Sequence, residues 1–155
     1  MILESRSAPP FHKNGFVLAC EHTRQAIVID PGDEVSELLE ILDRGQLTVR
    51  HILLTHAHMD HVSGLARLKA VTGAPIGLHR DDLFLYEAAV QQGQAFGYRV
   101  EQPPPPDFFF ERDTVVTFGG FEVRAHHTPG HSPGGVCLQV GPAGTAGTDL
   151  FVGDT

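Results

Sequence analysis

The stretch Thr55-His56-Ala57-His58-Met59-Asp60-His61 constrains this 155-residue chain more than any other. It sets three imidazoles and a carboxylate within six residues, directly behind the apolar run His51-Ile52-Leu53-Leu54-Thr55. Side chains that repel one another once protonated, at positions where an apolar group would pack better, need a compensating partner. In an extended segment residues two apart point the same way, so His56 and His58 can grip one ion. The chain must then turn for Asp60 and His61 to contribute, and a neighbouring second ion is their natural use. Imidazole nitrogen mixed with carboxylate oxygen suits zinc, iron or manganese better than calcium or magnesium. A histidine-rich tag would be terminal and monotonous, and this segment is neither.

A second cluster, His126-His127-Thr128-Pro129-Gly130-His131-Ser132-Pro133-Gly134-Gly135, points the same way. Its two prolines and three glycines fix a loop with His131 in the middle, and rigid loops hold ligands where metals need them. His126 and His127 end the strand-like run 121–125 and should face opposite ways. We expect His127 to serve a hydrogen-bonding role behind the ligands and His126 to lie on the surface. A third segment, Asp149-Leu150-Phe151-Val152-Gly153-Asp154-Thr155, is an apolar strand whose end offers a carboxylate beside glycine, well placed to bridge two cations. Asp30, before Pro31-Gly32, either orients the metal loop from behind or is ordinary turn chemistry.

Composition narrows the class. One domain, residues 1–155, is long enough for a real core, and 41% hydrophobic residues suit a soluble globular fold. Lys and Arg total 11 against 19 Asp and Glu, a net charge of −8, which disfavours a nucleic-acid partner. No run approaches the ~20 apolar residues that span a bilayer, and residues 1–10 lack a signal-peptide core, so no membrane association is expected. Cys20 and Cys137 are far apart without a CxxC and read as buried free thiols, consistent with a reducing, cytoplasmic compartment.

Strands and helices alternate in the pattern of an α/β fold. Strands are expected at 3–7, 14–20, 26–30, 51–55, 75–78, 114–118 and 121–124, the last two joined at Gly119-Gly120. Val35, Leu38, Leu39 and Leu42 predict one helical face ended by Gly45, and Leu65, Leu68 and Val71 another ended by Gly73. Residues 81–96 read as a helix, and Pro103 to Pro106 as a stiff extended linker. Phe108 to Phe110 read as core, His79 as a helix-start residue, and 141–148 as a surface turn.

Together these motifs resemble the metallo-β-lactamase superfamily. THAHMDH resembles its HxHxDH motif, HTPGHSPGG and the final Gly-Asp-Thr its later ligand segments, and the resemblance runs along essentially the whole chain. It is nearest to glyoxalase II-like hydroxyacylglutathione hydrolases of the short bacterial type. The resemblance implies an αββα sandwich. It assigns His56, His58, His131 and Asp154 to a first metal, and Asp60, His61 and the bridging Asp154 to a second, with Asp60 and Asp154 orienting a metal-held hydroxide. It implies two divalent ions, zinc foremost with iron or manganese as alternatives. The family supplies one further histidine and more strands and helices after the Gly-Asp turn, so residues 1–155 are expected to be the first two-thirds or so of a longer protein.

The implied activity is thioester hydrolysis, with a small glutathione-derived substrate such as S-lactoylglutathione. An iron-dependent persulfide dioxygenase using His56, His131 and Asp154 is the competing enzyme. A non-catalytic metal-binding or redox-partner domain is the competing class. The oligomeric state is open.

Overall fold

The computed structural model describes residues 1–155. Ten strands form two sheets. The first has six strands in sequence order: β1 (Ile2–Ser7), β2 (Asn14–Ala19), β3 (Gln25–Ile29), β4 (Thr48–Leu53), β5 (Ile76–Leu78) and β6 (Phe108–Phe109). β1, β2 and β3 pair antiparallel, while β3 through β6 are parallel. The second sheet is antiparallel, in the order β10 (Asp149–Phe151), β9 (Val136–Pro142), β8 (Phe121–His127), β7 (Val115–Phe118).

Parallel strands need crossover connections, and these supply the helices. α1 (Val35–Arg44) joins β3 to β4, and α2 (Met59–Val62) with α3 (Leu65–Thr72) joins β4 to β5. A 3₁₀ turn (Arg80–Asp82), α4 (Leu83–Glu87) and α5 (Ala89–Ala95) precede the proline-rich stretch into β6. One apolar cluster, with Val17, Val28, Leu38, Ile52, Leu65, Leu68 and Tyr86, lies between these helices and the first sheet. Another, with Leu18, Ile27, Leu53, Phe118, Leu138 and Phe151, lies between the sheets. β3 is buried on both faces because its alternate residues feed the two clusters. Each Leu or Ile fully buried here contributes about 1.5–3 kcal/mol.

The expected strands and helices are present, with local corrections. Val71 is 65% exposed rather than inward. Leu65 and Leu68 set the phase of α3, and a residue six positions after Leu65 falls outside their stripe. In α1 it is Ile41, not Leu39, that is buried with Val35, Leu38 and Leu42. Residues 81–96 form no single helix. The chain breaks at Ala88, and Gly93 of α5 packs where a Cβ would meet Val100 at 2.7 Å and the Tyr98 carbonyl at 2.8 Å. β8 runs on to His127, and β9 reaches Pro142, shortening the surface turn that follows. Cys20 and Cys137 are buried and free. No helix is long and apolar enough to cross a membrane.

Candidate metal centre

β3, β4, β5 and β6 all end at one rim of the first sheet, the edge where open α/β sheets present their sites. The segment after β4 carries His56 and His58, and the one-turn helix α2 then swings Asp60 and His61 round. The loop after β8 brings His131 from the second sheet, and the turn after β10 brings Asp154. The two sheets are stitched here: Val136 N donates to the Thr55 carbonyl at 2.8 Å.

His58 Nδ1 and His131 Nε2 are 2.9 Å apart. Asp154 Oδ2 lies 3.5 Å from His131 Nε2 and 4.0 Å from His56 Nε2, and its Oδ1 lies 3.3 Å from His61 Nε2. The rings of His56, His58 and His131 stand nearly perpendicular to one another, at 80–90°, with centroids 4.6–4.8 Å apart. In-plane lone pairs of perpendicular rings can meet at a common point. Ligand atoms of His56, His58 and His131, and separately of His56, His61 and Asp154, lie within 4.8 Å of one another. Both sets can hold a metal ion. Asp60 stands at the margin, its Oδ2 3.7 Å from His61 Nε2.

A third grouping, His79, Asp81 and His127, meets the same distance test but not the directional one. The His79 and His127 rings stack face to face, 4.0 Å apart and 9° from parallel, so their lone pairs run side by side. His127 Nε2 is bonded to the Pro133 carbonyl at 2.9 Å, within the loop of His131. His126 is exposed and pairs with Gln139.

Asp30 lies behind the candidate ligands His56 and His61. It adopts a left-handed φ of 51°, uncommon outside glycine but tolerated by Asp. Its carboxylate accepts from Thr55 N at 2.7 Å and from the Thr55 hydroxyl at 2.6 Å. Since that hydroxyl donates to Asp30, it can only accept from His56 Nδ1, 3.2 Å away. This fixes the tautomer: the His56 proton sits on Nδ1, and the Nε2 lone pair is free to face the other ligands. Asp30 Oδ2 also lies 3.0 Å from His61 Nδ1, leaving His61 Nε2 toward Asp154. Gly153 makes the final turn possible. Its φ is +57°, and a Cβ there would collide with the Thr55 side chain.

The electrostatics separate the histidines. Burial, then the neighbouring His61, lowers the His56 pKa to about 4. Burial and His131 lower that of His58. Burial also works against charge on His61, but the Asp30 charge and hydrogen bond, with Asp60, outweigh it and raise the pKa. Burial likewise opposes ionisation of Asp30, and His61, Lys13 and Thr55 together overcome it and keep the carboxyl low. His56 Nε2 and His61 Nε2 are buried without a hydrogen-bond partner. Buried orphans cost about 1–3 kcal/mol each. A cation is the partner that fits a lone pair facing other lone pairs and a carboxylate.

Asp82 is a residue that the sequence did not single out. It is fully buried and bonded to both ligand loops.

The family model of the metallo-beta-lactamase superfamily matches residues 8–155. The chain belongs to this superfamily. It is 34% identical over 138 residues to an uncharacterised protein of Aquifex aeolicus, covering 89% of this chain and 64% of that protein. It is also 34% identical over 119 residues to hydroxyacylglutathione hydrolase GloC of Haemophilus influenzae, covering 76% of this chain and 56% of that one. The chain therefore spans somewhat over half the length of these relatives. Among solved structures, the B3 metallo-beta-lactamase BLEG-1 superposes with a TM-score of 0.79 at 31% identity, over 89% of this chain and 66% of that one. The protein TTHA1623, in a di-iron-bound form, gives 0.75 at 35% identity, over 94% and 76%.

Proposed function

We propose that this chain carries the metal centre of a hydrolase acting on small thioesters of the hydroxyacylglutathione kind. The observation that supports it is the convergence of His56, His58 and His131 in three mutually perpendicular rings, with Asp154 reaching toward His56 and His131. The likeness to GloC supports the thioester. His56, His58, His131 and Asp154 would hold one ion, and Asp60, His61 and Asp154 the other, with zinc suited to this donor set. When bound, such ions supply hydroxide near neutral pH and polarise the carbonyl under attack.

The chain's own residues have definite tasks. The Asp30–Thr55 pair holds His56 in one tautomer, and Asp30 directs His61. Asp60 and Asp154 would orient the hydroxide held at the centre by accepting a hydrogen bond from it. A cleft of about 360 Å³ lined by Lys13, Asn14, Phe16, His61 and Asp154 adjoins the centre and can receive a small molecule. The Ser132 hydroxyl beside His131 donates to Asp82 and is not poised as a nucleophile. A thiolate leaves without strong acid assistance, which suits a thioester to this kind of centre.

One observation favours a second reading, an iron dioxygenase acting on a persulfide through His56, His131 and Asp154. Asp154 Oδ2 approaches both of those histidines, a two-histidine, one-carboxylate set. The test is metal analysis of the purified protein together with assays on S-lactoylglutathione and glutathione persulfide. Near two ions per chain, with thioesterase activity lost on chelation and in His56→Ala, is the expected result. One iron with oxygen uptake would favour the dioxygenase. Metal-loaded protein inert toward both would favour a binding role, and chelator-resistant hydrolysis would rule out metal catalysis.

A further inference from the structure

We infer that Asp82 is a positioning residue that sets the spacing of the two histidine loops, and through it the geometry and affinity of the metal centre. The inference rests on the proposed metal-binding role of His56, His58 and His131. Asp82 ends the 3₁₀ turn directly before α4, where an aspartate ordinarily caps its own helix. Here the side chain makes no cap bond. Its Oδ2 accepts from Ala57 N at 3.0 Å, the residue between His56 and His58. The same oxygen accepts from the Ser132 hydroxyl at 2.8 Å, and Oδ1 accepts from Gly134 N at 2.6 Å, on either side of Pro133 and just after His131. One carboxylate thus ties segments 25 residues before it and about 50 after it, one from each sheet.

Two features show that the position is built rather than incidental. Asp82 is 0% exposed, and its three donors are uncharged, so its negative charge is buried without an ion-pair partner in contact. That is costly unless a positive charge lies nearby, and a cation held by His58 and His131 would supply it. Gly134 has no room for a side chain: a Cβ would lie 2.6 Å from Asp82 N and 2.8 Å from its Cβ. The loop is drawn onto Asp82 as closely as its backbone permits.

Asp82→Asn tests the idea, because an amide keeps the shape but must turn its NH₂ toward at least one of the three donors. Zinc affinity, by chelator competition, should weaken by ~10–100-fold, as when groups supporting metal ligands are removed. The cobalt-substituted protein should show an altered visible spectrum, which a general loss of stability would not produce. Without metal, the Ala57 and Gly134 amides should exchange faster with solvent while amides of β2 and β3 stay protected. Ser132→Ala, which removes one bond and leaves the carboxylate, should give a smaller change of the same kind and serves if Asp82→Asn fails to fold. Unchanged zinc affinity and cobalt spectrum in folded Asp82→Asn would overturn this proposal alone. Absence of zinc binding by the unsubstituted protein would overturn the metal reading, and this proposal with it.

Discussion

The His61 imidazole sits 3.0 Å from the Asp30 carboxylate through Nδ1, while the same carboxylate holds Thr55 by its amide and its hydroxyl. One buried residue thereby orients His61 directly and His56 through Thr55. The two histidines would bind different ions, yet they share a single anchor, so disturbance of that anchor should be felt at both.

Asp30→Asn should therefore weaken both ions. Asn tolerates the φ of 51°, so the backbone need not change. What is lost is the charge facing His61 and one acceptor for Thr55. Removing one partner of a buried pair costs on the order of 3 kcal/mol. Urea unfolding of the metal-free variant would measure that loss, and an unfolding midpoint equal to the parent's would contradict the anchoring role.

Metal loss on acidification should be stepwise. Ligand histidines bind metal only when neutral. His61, with its pKa raised by Asp30, takes up a proton at higher pH than His56, whose pKa lies near 4. As pH falls, the ion assigned to Asp60, His61 and Asp154 should leave before the one assigned to His56, His58 and His131. Metal content measured after equilibration at successively lower pH should show a plateau near one ion. Without metal the sign for the His61 pair reverses. A raised folded pKa stabilises fully below the unfolded value of 6.5, and that contribution fades as pH climbs through the raised value.

Thr55→Val keeps the shape and removes the hydroxyl between Asp30 and His56. The His56 proton is then no longer fixed on Nδ1, and Asp30 keeps the Thr55 amide but loses a 2.6 Å bond. Zinc affinity should fall by ~10–100-fold with little change in far-UV circular dichroism. A ring-nitrogen chemical shift of His56 identical to the parent's would argue against the relay.

Gly153→Ala should act on Asp154. A non-glycine residue in the left-handed region costs about 1–2 kcal/mol, and here the added methyl also meets Thr55. The turn should open and withdraw Asp154 from His61 and His131. Reduced metal stoichiometry, with metal-free stability lowered by about 1–2 kcal/mol, is the expected result. Full stoichiometry would mean that the glycine turn is not needed to place Asp154.

The candidate ligand residues were legible in the sequence because chemistry restricts their types and the HxHxDH spacing is short. The strands were legible because the buried run Ala26-Ile27-Val28-Ile29 of β3 and the Ile52-Leu53 end of β4 are apolar and rich in β-branched residues. Asp82 was not legible. An aspartate before a helix is common, and its three partners lie 25 and about 50 residues away, where no local pattern reaches. Asp30 was ambiguous for a related reason, since Asp-Pro-Gly serves an ordinary turn equally well and only its φ and its contacts with Thr55 distinguish the cases. The break at Ala88 escaped because helix-forming residues continue through it on both sides.

His56 and His58 follow a strand of the first sheet, whereas His131 and Asp154 follow strands of the second. An ion shared among them would act as a rivet through the seam of the sandwich. Its binding free energy would then add to the cohesion of the two sheets, by an amount that grows with the logarithm of free metal concentration. Under metal starvation the seam would rely on the apolar cluster and the few cross-sheet bonds alone, and the rim that carries the candidate ligands would be the first part of the molecule to loosen.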